Sequence, residues 1–171
     1  MPQRQGARLA AGLLLLLLAG CGYHLRGSQG KMTVLPPIHV GGDQSTPLYG
    51  ALRQSLRDTG TPLVAREQAQ LLLNLLGENR ERRVLSVSGA AKVQEYELIY
   101  SVTFELMDRA GKPLLARQTI RKVRDIRFDE TAVNSLVSES EQLYSDMRTA
   151  LVREIMRRLQ AAARNFQETA P

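Results

Sequence analysis

Few residues of this 171-residue chain have the types and spacing that acid–base or nucleophilic chemistry requires. The chain has two histidines, His24 and His39, and a single cysteine. It contains neither a Ser-His-Asp arrangement in a credible loop nor an HExxH zinc motif. Glu95 and Glu97 fall on one face of a predicted strand, but the residues around them indicate an open polar face and not a cleft. We therefore expect no catalysis, no bound metal and no cofactor.

The first twenty residues have the layout of a secretory signal. Arg4 and Arg8 form a short positive head, residues 9–18 form a compact apolar stretch, and small residues follow. The apolar stretch is too short for a membrane-spanning helix, which needs roughly 20 residues. We predict that residues 1–20 are a signal peptide, which directs export and does not anchor the mature protein by spanning the membrane.

Cys21 follows this segment directly and is the candidate for lipid attachment. The residues Leu-Ala-Gly-Cys at 18–21 resemble the lipobox of bacterial lipoproteins, where cleavage precedes the cysteine and acyl chains such as palmitate are attached to it. Each buried methylene contributes roughly 0.8 kcal/mol, so two or more chains hold a protein at a bilayer. Gly22, where an acidic residue could signal inner-membrane retention, favours the outer membrane. The alternative is an ordinary signal followed by a buried free thiol.

The mature chain is predicted to be a lipidated tether, 21–30, followed by one domain, 31–171. The whole chain carries a net charge of +6. Between Arg80 and Arg127 there are eleven basic and six acidic side chains, so the positive excess lies in one block. Export argues against a nucleic acid partner, and the abundant phosphate-bearing molecule of a Gram-negative surface is lipopolysaccharide. Two interpretations of the block stay open: a solvated sheet face, or a surface that faces phosphate groups.

The first part of the domain is predicted to form a strand and a helix. Residues 32–38 have strand character, and Pro36-Pro37 confines the end of this strand to an edge or a turn. Thr46-Pro47 predicts the start of a helix, because a capping hydroxyl precedes a proline at the first helical position. Apolar residues then recur at helical spacing, and Gly60 predicts the end of the helix.

Three strands are predicted to follow. The second strand covers 69–77, and strand character returns at 84–87 after the highly charged segment 78–83. The third strand, 92–108, alternates strictly between apolar and polar residues, apart from Ile99, which predicts a long, half-buried antiparallel strand. A hairpin at 108–111 leads to the fourth strand, 113–128, where charged residues fall on both faces.

A long helix ends the chain. Ser138 to Glu141 match a capping box and predict its start. Its apolar stripe is predicted to cover the sheet face that carries Tyr96 to Leu106. The stripe consists of Leu143, Met147, Leu151, Ile155, Leu159, Ala162 and Phe166. The fold class is therefore α+β, a two-layer sandwich in which two helices pack on one face of a four-stranded, mostly antiparallel sheet, in the order β-α-β-β-β-α.

The opening of the mature chain, Cys-Gly-Tyr-His-Leu-Arg-Gly at 21–27, resembles that of the LPS-assembly lipoprotein family LptE. The similarity continues through the first strand, the helix from Leu48, the Glu95-Tyr96-Glu97 strand and the Glu141-Gln142 helix start. It covers essentially the whole mature chain.

The resemblance implies a function as well as a fold. Members of this family are lipoproteins that are anchored by lipid on the periplasmic side of the outer membrane and plug the large β-barrel LptD. They assist assembly of that barrel, bind lipopolysaccharide and act during its delivery to the outer leaflet, without an enzymatic step. Two alternatives stay open: an outer-membrane lipoprotein of another envelope transport system, or a protein that binds anionic lipid on its own.

The resemblance also suggests where lipopolysaccharide binds. The family is described with basic residues at the turn between the second and third strands and just before the last helix. This sequence departs from the pattern, because neither Ser88-Gly89-Ala90 nor residues 131–138 contain a basic residue. Basic residues close to the turn, or on the neighbouring strand, are the substitutes that we predict for lipopolysaccharide binding: Arg82, Arg83, Lys92, Arg121 and Arg124.

Overall fold

The computed structural model describes residues 34–89, 93–127 and 133–169, with the side chains of the last range described from 136 to 166. The predicted signal peptide, the tether with Cys21, and Lys92 lie outside these residues. The described residues form β1 (Ile38–Gly41), α1 (Pro47–Asp58), β2 (Leu71–Val87), β3 (Val93–Asp108), β4 (Pro113–Arg127) and α2 (Val133–Thr169). A short 3-10 turn, Arg66–Gln68, precedes β2. The predicted order of strands and helices is confirmed.

The four strands form one sheet in the order β1-β2-β3-β4. β1 runs parallel to β2, while β2 with β3 and β3 with β4 are antiparallel. The parallel pair requires a crossover, and α1 lies in that crossover. The buried residues of both helices and of the sheet form a single cluster, so the α+β fold with two helices on one face is confirmed.

The first strand begins later than predicted. β1 starts at Ile38, where the prediction ended, because Pro36 and Pro37 have no N–H groups and cannot donate to a ladder. The Pro37 carbonyl still accepts bonds from the N–H groups of Gln70 and Leu71, at 2.9 and 3.2 Å. Regular pairing with β2 then runs from Ile38 to Gly41.

The segment just before β1 is held in place by a short series of hydrogen bonds. Leu35 is buried, and its N–H donates to the Thr61 hydroxyl at 3.2 Å. That hydroxyl lies 3.0 Å from the Thr59 hydroxyl, which donates to the Leu56 carbonyl at the end of α1. The segment before β1 is therefore attached to the C-terminal end of α1.

The first helix follows the prediction closely. Thr46 caps α1 by accepting from the N–H of Tyr49, and Pro47 is its first residue. Leu48, Leu52 and Leu56 are fully buried. The Tyr49 hydroxyl donates to the Val40 carbonyl at 3.2 Å, which ties α1 to β1.

The second strand is longer than predicted, because the charged segment 78–83 belongs to it. β2 is continuous from Leu71 to Val87, and its backbone pairs with β3 throughout this range. A bulge between Leu75 and Gly77 leaves Leu76 as an extra residue, and a second irregularity lies between Val84 and Ser86. Charged side chains do not end a strand whose backbone groups are already bonded to a neighbour.

The bulge divides the sheet into two parts. We call the rows of β2 from Leu71 to Leu75, with their partners, the near half, and the rows from Glu78 to Val87 the far half. α1, with 12 residues, is about 18 Å long, whereas the 17 residues of β2 extend over roughly 55 Å. The first helix is therefore too short to cover both halves.

The last helix begins earlier than predicted. α2 starts at Val133, so the Ser138 to Glu141 segment lies inside the helix and does not cap it. Leu136 is buried against the sheet, and this packing favours helix before the polar segment. The predicted stripe is confirmed from Met147 to Ala162, whose members are buried, while Leu143 and Phe166 are partly buried. In the described part of the chain, no helix combines the length and the apolar character needed to cross a membrane.

Candidate functional site

Strand register assigns each charged residue of the far half to one of two faces. The apolar residues of β3 define the helix-side face, because Leu98, Tyr100 and Val102 are buried beneath the helices. Residues that pair directly with them project to the same face. These partners are Glu78, Arg80 and Arg82 on β2, and Ile120, Lys122 and Arg124 on β4. The residues between them project to the other face, which we call the open face.

The predicted lipopolysaccharide residues are thereby separated into two pairs. Arg82 and Arg124 both pair with Leu98, so they flank it on the helix-side face. Arg83 pairs with Glu97, and Arg121 pairs with Ser101, so both project from the open face. The predicted group is therefore not one cluster, because two of its members lie on each side of the sheet.

The open face of the far half is close to neutral. Its ionic side chains are Glu81, Arg83, Glu95, Glu97, Arg121, Asp125 and Arg127. Arg83 forms a two-point contact with Glu81, with Nε to Oε1 at 2.6 Å and Nη2 to Oε2 at 3.1 Å. Hydrogen bonding from Arg83 lowers the pKa of the Glu81 carboxyl, and the same contact raises the pKa of the Arg83 guanidinium. Acidic partners thus neutralise much of the basic charge on this face.

The helix-side face of the far half has an excess of positive charge. Its sheet residues include one acidic side chain, Glu78, and four basic ones, Arg80, Arg82, Lys122 and Arg124. The four basic residues lie in two rows on either side of a β3 column that contains Leu98 and Tyr100. Leu98 and Tyr100 are fully buried, so these rows offer a ligand positive charge, which suits phosphate groups.

Aromatic rings hold the two β2 arginines of this face. The guanidinium carbon of Arg82 lies 4.8 Å from the centroid of the Tyr96 ring. That of Arg80 lies 4.7 Å from the centroid of Tyr144, and its Nη1 is 3.2 Å from a carboxylate oxygen of Glu141. Burial raises the pKa of the Tyr144 hydroxyl, and the nearby arginines oppose that rise. Stacking on rings orients a guanidinium while leaving its edge N–H groups able to donate.

The acidic residue of this face is already bonded. The Tyr100 hydroxyl donates to Oε1 of Glu78, while Oε2 of the same carboxylate is buried without a hydrogen-bond partner among the described residues. Burial, and then the bond to Glu78, raise the pKa of Tyr100 well above its usual value. Glu78 therefore interacts with the interior of the sandwich more than with the basic rows.

The residues considered for catalysis have structural partners. Glu95 accepts from the Ser86 hydroxyl at 2.9 Å and lies 3.9 Å from Nε of Arg127. Nδ1 of His39 lies 3.3 Å from the Val64 carbonyl, within the β1 region. Within the ranges that the structure describes, no group of three or more acidic, histidine or cysteine side chains could hold a metal ion. Glu95 lies on the antiparallel strand β3 and His39 on β1, which is parallel to β2, and both contacts are structural.

The sequence prediction did not include Arg80 and Lys122, which complete the basic rows. Strand alternation could have found Lys122, because it is two residues from Arg124 and must share its face. It could also have separated Arg82 from Arg83, since consecutive strand residues project to opposite faces. The same alternation could have found Arg80, which is two residues from Arg82 with no bulge between them.

Comparison with known proteins gives the family. Residues 35–159, well over half of the chain, match the LptE family, described as lipopolysaccharide-assembly. This chain belongs to the LptE family. The matched residues include both halves of the sheet and most of α2.

Known proteins are similar in sequence to this LptE-family chain over most of its length. The LPS-assembly lipoprotein LptE of Photorhabdus laumondii is 26% identical over 155 residues, which cover 88% of this chain and 83% of that protein. That of Yersinia enterocolitica is 27% identical and covers 94% and 80%. The solution structure of lipoprotein B of Nitrosomonas europaea is similar, with a TM-score of 0.71, 26% identity and coverage of 86% and 94%. The chain is a lipoprotein of lipopolysaccharide assembly in the Gram-negative envelope, and not an enzyme.

Proposed function

We propose that this LptE-family protein is the outer-membrane subunit that plugs the LptD β-barrel, assists its assembly, and contacts lipopolysaccharide during delivery to the outer leaflet. The signal peptide, 1–20, is removed, and acyl chains on Cys21 anchor the protein on the periplasmic side through the tether 21–30. Residues 31–171 then form the single domain that meets both partners.

The observation that carries the lipopolysaccharide contact is the segregation of charge in the far half. Family membership supports a role in lipopolysaccharide assembly, and lipid A presents phosphate groups next to acyl chains. The helix-side face offers two basic rows and the partly buried Tyr96, whereas the open face neutralises its own arginines. We assign the phosphate contact to Arg82 and Arg124, with Lys92 as a further candidate outside the described residues.

Two double variants of the full chain test this assignment. Arg82→Gln with Arg124→Gln removes two charges from the helix-side face, and we expect lipopolysaccharide affinity to fall about tenfold because charge-assisted bonds to phosphate are lost. Arg83→Gln with Arg121→Gln removes the same charge from the open face and is the matched control. Lipopolysaccharide binding is measured at two salt concentrations, because exposed ionic contacts are screened by salt.

The outcomes of this experiment are distinct. Loss of affinity and of salt dependence in the helix-side variant alone supports the assignment. Equal loss in both variants indicates a general effect of net charge, and a larger loss in the open-face variant moves the site to that face. Unchanged binding in both variants removes the sheet from the lipopolysaccharide contact.

The proposed barrel partner and the proposed lipid anchor at Cys21 need separate measurements. Purification of the protein from outer membranes should recover a large barrel protein, and recovery of a different transport protein would favour the alternative of another envelope system. Mass spectrometry of the mature N-terminus should find acylated Cys21. If a variant without Cys21 binds anionic vesicles as well as the acylated protein does, and no barrel is recovered, the protein acts on lipid by itself.

A further inference from the structure

The outer side of β2 is a sheet edge over most of its length. β1 pairs only with Leu71–Asn74, while β2 continues to Val87. No strand of the described residues pairs with the outer side of β2 beyond Asn74. The long strand at the interior of the sheet order is therefore an edge strand throughout the far half.

The register shows which backbone groups this edge presents. The N–H of Asp108 donates to the Lys112 carbonyl at 2.9 Å, so the backbone groups of Asp108 point towards β4. Because these groups alternate sides along a strand, the even-numbered residues of β3 all point towards β4. Their β2 partners consequently direct N–H and C=O groups outwards. These partners are Glu78, Arg80, Arg82 and Val84.

The far end of this edge is also apolar and exposed. Val84, Leu85 and Val87 are 54%, 48% and 57% exposed. β2 contains no proline or lysine, and its protection against unselective pairing consists of the charged residues 78–83 and its bulges. An exposed apolar edge with outward backbone groups is suited to accept one more strand.

A second copy of this chain meets charge repulsion on this edge when the pairing is centred on the arginine segment. If two copies paired antiparallel about a two-fold axis centred at Arg80, Arg82 or Arg83, that arginine would face itself. If the axis passed through Glu81, Arg80 of one copy would face Arg82 of the other. Like charges directly opposite each other destabilise a strand pair. These registers are therefore disfavoured, and the positive charge of Arg80, Arg82 and Arg83 favours a partner of opposite charge.

We infer that the outer edge of β2 from Glu78 to Val87 binds an extended segment of a different protein by strand addition. The segment is acidic where it faces Arg80 and Arg82 and apolar where it faces Val84 and Leu85. Backbone hydrogen bonds supply the affinity, and this change from acidic to apolar residues fixes the register. The inference does not depend on lipopolysaccharide binding.

The decisive pair of variants is at Val84. Val84→Pro removes an outward N–H without changing the charge of the protein, and proline is tolerated on an edge strand where the N–H faces solvent. Val84→Thr keeps the N–H and the shape of the side chain, so it is the matched control. The probe is a fluorescein-labelled peptide of ten residues with glutamates in one half and valines in the other, and anisotropy measures its binding to the full chain.

We expect the Val84→Pro chain to bind this peptide about tenfold more weakly than the Val84→Thr chain, while both bind lipopolysaccharide equally. A peptide with lysine in place of glutamate should bind the chain no more tightly than the original peptide binds the Val84→Pro variant. Equal binding by the two variants, or by the two peptides, contradicts the inference. Because Val84→Pro leaves every arginine in place, a loss of peptide binding is separable from a failure of the lipopolysaccharide assignment.

Hydrogen exchange of the wild-type chain decides the matter even if Val84→Pro does not fold. Addition of the peptide should slow amide exchange in residues 78–87 and leave β4, the other edge, unchanged. Only the outward amides of Glu78, Arg80, Arg82 and Val84 are diagnostic, because the amides between them are bonded to β3. If these four amides are already protected in the free chain, its own residues occupy the edge and the inference is wrong. Protection that appears on β4 instead also overturns it.

Discussion

The near and far halves are built from the same strands and the same sheet face, yet they differ in what that face carries. In the near half Leu71, Leu73 and Phe104 are fully buried beneath both helices. In the far half the corresponding β2 positions are Glu78, Arg80 and Arg82. On β2, the near-half residues stabilise the fold by burying apolar area, whereas the far-half residues present charge beside the buried Leu98, Tyr100 and Val102 of β3. Buried packing and exposed charge therefore lie on different residues of one strand.

The comparison is tested most strongly by removing one side chain from each half. Phe104→Ala should lower the free energy of unfolding by about 3–5 kcal/mol, because a fully buried ring leaves a cavity. Val84→Ala, at a half-exposed site of the far half, should change it by less than about 0.5 kcal/mol. Urea unfolding of both variants gives the two values. Similar losses at the two positions would show that the far half also supports the fold.

Two glycines provide a second comparison. At Gly42, φ is +137°, and a Cβ atom there would lie 2.9 Å from the Leu75 carbonyl oxygen. Gly42→Ala should therefore destabilise the protein by roughly 1–3 kcal/mol. At Gly77, in the bulge, a Cβ atom would have no neighbour within 4 Å, so Gly77→Ala should be neutral or stabilise by up to ~1 kcal/mol. Thermal unfolding distinguishes them, and a loss of stability at Gly77 would mean that the bulge cannot tolerate a side chain.

A smaller difference is expected between two tyrosine hydroxyls that each donate to a strand carbonyl. Tyr49 reaches Val40 in the buried near half, and Tyr144 reaches Glu81 in the partly exposed far half, at 3.2 and 2.9 Å. Tyr49→Phe should cost about 1–2 kcal/mol, because the Val40 carbonyl loses a partner where water cannot replace it. Tyr144→Phe should cost less, since water can reach Glu81. Chemical denaturation of the pair checks the order, and the reverse order would contradict the assigned difference in burial.

The smallest expected effect is a pH dependence in the far half. Burial and the bond to Glu78 raise the pKa of Tyr100 in the folded protein above its ordinary value of about 10. The resulting stability is complete below pH ~10 and is lost as the pH rises towards the folded-state pKa. Wild-type stability should therefore fall more steeply than that of Tyr100→Phe above pH ~10. Parallel curves for the two proteins, measured by urea unfolding at each pH, would rule out this contribution.

Much of the near half could be predicted because its signals are local. Thr46 and Pro47 marked the start of α1, and alternation on β3 identified the buried face from Leu98 to Leu106. The predicted start of β1 was wrong because pairing, and not local composition, decides where a proline-containing segment joins a ladder. The predicted start of α2 was wrong because the contact of Leu136 with the core extends the helix beyond its polar capping pattern.

The far half could be predicted less well, because one extra residue changes every face beyond it. Leu75 and Leu76 are identical in type, so the sequence does not show which of them is the bulge residue. Without the bulge, Glu81 and Arg83 would have been expected on the helix-side face. The candidate lipopolysaccharide residues were therefore grouped by their nearness in sequence, and the register divides them between two faces.

The attachment of Leu35 to Thr61 determines where tension from the N-terminus acts. A pull on the residues before Val34 first meets the buried Leu35 side chain and its bond to Thr61, and then the end of α1 through Thr59. The force therefore acts on the near half, whose β2 residues Leu71 and Leu73 are fully buried. The charged strands beyond Leu76 lie outside this mechanical path. If the N-terminus is held at a bilayer as proposed, motion of that bilayer leaves the proposed binding surface of the far half unstrained.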